Sequence, residues 1–166
     1  MKVFLGMITV LALASCSTKA KEEIVRAETT QPAPIVSDLP AMEVRLLDGK
    51  IIDLKSIVGK TVLILFQPDC DHCQQEAEEI KQNLNDFKRH KLYFISSSPA
   101  EQIEKFSKDY KLEGNESVMF GWTTTENILN NFGPIAAPSI YIYSEKGKLV
   151  QKFNGQTPVE EIKKYL

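Results

Sequence analysis

The run Thr61–Phe66, TVLILF, carries no charge and lies between Gly59 and Pro68. A strand with one wet face alternates apolar and polar residues. A continuous run rich in Val, Ile and Leu is that of a central strand buried on both faces. The chain must therefore supply cover for two sides of a sheet. Pro68 breaks the strand. Two residues later comes Cys70-Asp71-His72-Cys73. Apolar positions follow at Cys73, Ala77, Ile80, Leu84 and Phe87, a spacing of four, three, four, three that predicts one helical stripe.

The remaining elements alternate. Met42–Leu54 reads as a hairpin around Asp48-Gly49, and Leu92–Ile95 as a strand. Glu101–Tyr110 is a helix, Ser117–Gly121 a short strand, and Thr125–Phe132 a helix stopped by Gly133-Pro134. Ser139–Tyr143 and Lys148–Phe153 form a second hairpin. Thr157-Pro158 starts a closing helix that runs to Leu166. The pattern predicts an α/β fold, a central mixed sheet with flanking helices and an N-terminal β-hairpin.

The cysteine pair admits three readings: a redox couple, half of a metal site, or a structural disulfide. Because Pro68 cannot continue a helix ladder, the helix is expected to begin at about Asp69 or Cys70. Cys70 then sits among free N–H groups at the positive end of the dipole, where a thiolate is favoured. Cys73 opens the buried stripe. The arrangement predicts an exposed attacking sulfur and a shielded resolving sulfur. Residues at i and i+3 are near enough for a disulfide. Protonated His72 would favour the Cys70 thiolate, whereas Asp69 and Asp71 would oppose it.

The third cysteine bears on location. The chain opens MKVFLGMITVLALASC, a charged start, an apolar core of about a dozen residues, then Leu13-Ala14-Ser15-Cys16. The core is too short to span a bilayer. This pattern resembles the lipobox of bacterial lipoproteins. It implies a signal peptide over 1–15 and a lipid on Cys16, hence a membrane-anchored protein of the cell envelope facing the periplasm or cell exterior. Disulfides persist in that setting. Residues 16–40, with charge, Thr, Ala and Pro and no sustained apolar period, read as a tether reaching roughly 25–30 Å on average. Within it, residues 35–39 alternatively pack on the domain as an irregular lead-in. Residues 41–166 form one domain, large enough for a core that needs no disulfide.

The chain has 20 Lys and Arg against 22 Asp and Glu. That balance leaves no electrostatic footprint for nucleic acid.

From the hairpin through GKTVLILF, the CxxC and Ala137-Pro138-Ser139, the sequence resembles the thioredoxin fold. More narrowly, LLDGKIIDLKSIVGKTVLILFQPDCDHC resembles the membrane-tethered thiol–disulfide oxidoreductases of the TlpA/ResA type, within the wider redoxin superfamily that includes peroxiredoxins. The resemblance implies a redox-active Cys70–Cys73 couple and a cis peptide bond before Pro138, facing the cysteines. It also implies a proton-transfer role for Glu76, three residues after Cys73, beside the bland reading of an exposed acid. No cofactor is implied. The implied partners are cell-envelope proteins with thiols or disulfides. Asp69, Glu78 and Ala136-Ala137 depart from the family pattern, which bears on redox potential and partner.

Two other functions compete. A copper or zinc chaperone would use the two thiolates with His72 as soft ligands, but there is no second CxxC and His90 lies at the far end of the helix. A weak peroxidase is the other, against which stands the absence of a threonine at the P-x-x-T-x-x-C position.

Overall fold

The computed structural model describes residues 36–166. The expected signal peptide, Cys16 and most of the expected tether lie outside the described residues. The elements in order are β1 (Glu43–Leu46), β2 (Ile51–Asp53), β3 (Thr61–Leu65), α1 (Asp71–Gln82), β4 (Lys91–Ser96), α2 (Ala100–Asp109), β5 (Val118–Trp122), α3 (Thr125–Phe132), β6 (Ser139–Tyr143), β7 (Leu149–Asn154) and α4 (Val159–Ile162). A 3₁₀ turn over Lys163–Tyr165 continues α4.

The strands make one sheet in the order β2-β1-β5-β4-β3-β6-β7. β3, β4 and β5 run parallel, and the outer pairings are antiparallel. β3 lies inside the sheet between β4 and β6, and all five of its residues are buried. Its alternation divides the core. Val62, Ile64 and Phe66 join Cys73, Ala77 and Ile80 of α1 and Ile103 and Phe106 of α2 on one face. Leu63 and Leu65 join Val44, Leu54 and Ile128 on the other. The continuous apolar run thus becomes two apolar faces, each with its own cover. Aromatic rings fill the first face, with Phe66 4.6 Å from Phe106 and Phe94 stacked 4.8 Å from Phe120.

The helical stripe extends less far than its spacing predicts. α1 ends at Gln82, because Asn83 leaves helical geometry and its side-chain amide takes the Glu79 carbonyl. A side chain that bonds the local backbone competes with the ladder in this way. Tight turns follow, Asp86 N–H to Asn83 O and Phe87 N–H to Leu84 O. They carry Phe87 into the core even though no helix reaches it.

The lead-in alternative for residues 35–39 describes the last three of them. Asp38 N–H donates to Gly147 O at 2.8 Å, the Asp38 carboxylate pairs with Lys148, and Leu39 is fully buried. β5 holds one close approach: a side chain at Gly121 would run into Val44 of the neighbouring strand.

Candidate functional site

β3 and the turn after it deliver the cysteines. Phe66 ends the buried run, Cys70 N–H donates to Gln67 O at 3.2 Å, and the helix starts at Asp71. Cys70 is therefore the N-cap rather than the first helical residue. Its sulfur fills the place of the usual capping oxygen and accepts the Cys73 N–H at 3.3 Å. That bond, and the helix end behind it, favour negative charge on the sulfur. The Cys70 thiol also donates to Ala137 O at 3.5 Å.

Cys73 is in the opposite situation. Its side chain is 2 % exposed, and its sulfur accepts only the Gln67 N–H at 3.5 Å. Burial, and then a side-chain interaction with the Cys70 sulfur, push its thiol far above the ordinary value, against the smaller pull of Gln67. Both cysteines are free thiols. One sulfur is partly accessible and held by a donor; the other is protonated and enclosed.

Glu76 lies one turn further on and is also 2 % exposed, so it is no surface acid. Oε1 accepts the Thr157 N–H at 3.0 Å, while Oε2 has no hydrogen-bond partner. Burial pushes the carboxyl up to about 8, helped by the charge of Glu79 and opposed by Thr157. An ionised Glu76 acts on Cys73 in turn, raising its thiol further.

The peptide bond Ala137–Pro138 is cis. Its carbonyl is the one that meets Cys70, so Pro138 stands beside the couple. Asp71 and His72 are exposed. His72 Nδ1 lies 2.7 Å from Gln156 Oε1, and Gln156 Nε2 donates to Gln75. The site thus gathers Cys70, Cys73, Glu76 and Pro138, and sets His72 and Asp71 at its edge.

A segment that the sequence presents only as a turn before a helix completes the site. Asn154–Val159 runs from the end of β7 into α4. Gly155 N–H donates to Pro138 O at 2.8 Å, and Asn154 Oδ1 accepts the Ala136 N–H at 3.1 Å. At its other end Thr157 and Val159 donate to Glu76 and Glu79 of α1. The legible signal was Gly155 after a strand; the side-chain partners have no sequence signature.

No group of three or more His, Cys, Asp or Glu side chains is placed to hold a metal ion among the described residues. A groove of about 290 Å³ opens beside Ala137 between Phe66, Gln67, Ile128, Leu129 and Pro134.

Comparison with known proteins bears on the family and the fold. Residues 35–152 match the AhpC/TSA family. The chain is similar to the thiol-disulfide oxidoreductase ResA of Bacillus cereus, 25% identical over 89% of this chain and 80% of that one. The ResA of Bacillus thuringiensis is 26% identical over 88% of this chain and 80% of its own. Among solved structures, MTB DsbF superposes with a TM-score of 0.65 at 20% identity, over 76% of this chain and 96% of that one. A cysteine-to-serine mutant of the peroxiredoxin 6 of Arenicola marina superposes at 0.66 with 16% identity, over 77% and 69%. These superpositions establish the thioredoxin-like fold.

Proposed function

This chain belongs to the AhpC/TSA family and is a redoxin of the thiol–disulfide oxidoreductase type, and on that premise we propose that Cys70 and Cys73 exchange electrons with protein partners outside the cytoplasm. The carrying observation is the division of labour between the two sulfurs: Cys70 accepts a backbone N–H at the helix start, and Cys73 is enclosed.

In the reducing direction the Cys70 thiolate attacks one sulfur of a partner disulfide. That S–S bond breaks, the partner's other sulfur leaves as a thiolate, and a mixed disulfide joins Cys70 to the partner. Cys73 gives its proton to Glu76 in its ionised form, and its thiolate attacks the Cys70 sulfur. The second partner thiolate leaves, and Cys70–Cys73 closes as a disulfide. The partner gains two electrons and the couple loses two. The oxidising direction is the reverse. A carboxyl titrating near 8 gives and takes a proton with little penalty close to neutrality. Glu76 is the one acid of α1 enclosed beside Cys73.

The cellular setting is proposed from Leu13-Ala14-Ser15-Cys16 after a short apolar core. A lipid on Cys16 would hold the protein on the outer side of a membrane, with envelope proteins as partners.

The test is non-reducing electrophoresis of Cys73→Ser and Cys70→Ser variants from cells, with mass spectrometry of the linked peptides. Cys73→Ser accumulates mixed disulfides through Cys70, and Cys70→Ser accumulates none. Equal trapping by both variants would overturn the roles assigned to the sulfurs.

A further inference from the structure

The carbonyl that meets Cys70 belongs to a loop with little internal support. Ala136 and Ala137 have only methyl side chains to pack it, and Pro138 has no N–H to donate. Its support comes from the β7 strand and its end. Ser139 and Asn154 face each other in the β6–β7 register. Asn154 Oδ1 accepts the Ala136 N–H at 3.1 Å and lies 3.0 Å from Ser139 Oγ. Ser139 Oγ lies 2.5 Å from Ala136 O, so its single proton serves that carbonyl. The next residue, Gly155, donates to Pro138 O. Bonds from two consecutive residues thus fall on either side of Ala137, the residue whose carbonyl faces the reactive sulfur at 3.5 Å.

The two bonds differ in kind. Gly155 acts through its backbone, which any residue but proline supplies. Asn154 acts through its side chain. A strand end exposed to solvent favours Thr, Val or Tyr on general grounds, and Asn is poor in strands. An Asn here is explained by what its amide oxygen holds.

We infer that Asn154 is a positioning residue for thiol–disulfide exchange: its side-chain carbonyl fixes the Ala136–Pro138 loop so that the Ala137 backbone is presented to a protein substrate beside Cys70. The inference rests on the exchange function proposed above. A protein disulfide brings main chain to the loop, and a small disulfide brings none. Loss of Asn154 therefore weakens recognition of the first and leaves the second untouched.

The experiment measures steady-state reduction of insulin, and in parallel the reaction of the reduced couple with 5,5′-dithiobis(2-nitrobenzoate), for wild type, Asn154→Ala and Asn154→Asp. Asn154→Ala is expected to raise KM for insulin about three- to tenfold, the worth of one lost hydrogen bond, with kcat and the small-disulfide rate unchanged. Asn154→Asp keeps an acceptor oxygen and restores most of the loss. Amide hydrogen exchange at Ala136 rises in Asn154→Ala and returns in Asn154→Asp, which tests the bond independently of activity. An unchanged KM, an equal loss toward both disulfides, or failure of the aspartate to rescue would overturn the role. A wild-type protein inert toward both insulin and 5,5′-dithiobis(2-nitrobenzoate) would overturn the exchange reading itself, whereas an active wild type with an indifferent Asn154→Ala would overturn only the role of Asn154.

Discussion

The backbone N–H of Cys73 points at the sulfur of Cys70 from 3.3 Å. One residue thus serves the couple twice, in opposite senses. Its main chain supports negative charge on the neighbour, and its own buried thiol resists ionisation. Native protein treated briefly with iodoacetamide near neutral pH should be alkylated at Cys70 and spared at Cys73. Under denaturing conditions both should react alike. Peptide mass spectrometry reads the ratio, and equal labelling of the native protein would contradict the assignment.

Glu76 gives the fold a pH dependence of known sign. Its carboxyl is raised from 4.5 to about 8 in the folded state. Between those values the folded chain binds more proton than the unfolded one, so stability falls as pH rises from 4.5 through 8. Glu76→Gln removes that loss. The variant should gain stability relative to wild type as pH rises, with the difference levelling above 8. Urea unfolding at several pH values measures it, and parallel curves would contradict it. The same variant should slow resolution of the mixed disulfide, because Cys73 loses its proton acceptor.

His90 has the opposite dependence. It is buried, its Nδ1 has no partner, and burial with Lys60 and Arg89 nearby brings the imidazole down to about 4 from 6.5. The unfolded chain takes up the proton first, so stability is lost as pH falls from 6.5 through 4. His90→Gln should show a shallower fall over that window. A wild-type curve with the same slope as the variant would contradict it.

Gly121 tests the close approach of β5 to β1. Gly121→Ala forces a methyl against Val44, which is fully buried and β-branched. The strands must part or Val44 must leave its rotamer, and the expected cost is about 1–3 kcal/mol. Adding Val44→Ala should recover part of it in a double-mutant cycle. Additive effects would show that the two side chains do not meet.

Cys16→Ala tests the proposed anchor. The variant should move from the membrane fraction to the soluble envelope fraction when cells are fractionated. Retention in the membrane would contradict the lipobox reading.

The parts legible in the sequence were those set by local pattern. TVLILF predicts a strand buried on both faces, Asp48-Gly49 the first hairpin, and Gly133-Pro134 the end of α3, and the structure places all three there. The position of Pro138 beside Cys70 came from resemblance to a family, because contact across 67 residues has no local signal. The burial of Glu76 was not legible for the same reason. On the helix alone it is one acid among several; its partner, the Thr157 N–H, comes from the other end of the chain. The stripe to Phe87 misled because tight turns reproduce helical spacing for a few residues without the ladder. Asn83, where the ladder stops, bonds the backbone through a side chain whose choice of partner is decided only in three dimensions.

The anchoring of Ser37 and Asp38 to the turn at Gly147 and Lys148 has a directional result. β6 separates that turn from Pro138, and its five residues span about 15 Å. The chain therefore joins the domain at the tail end of β6, and the reactive sulfur lies at the head. A load applied to the chain at Ser37 and Asp38 is taken up at the tail, and is borne by the β6–β7 turn before it reaches the redox couple.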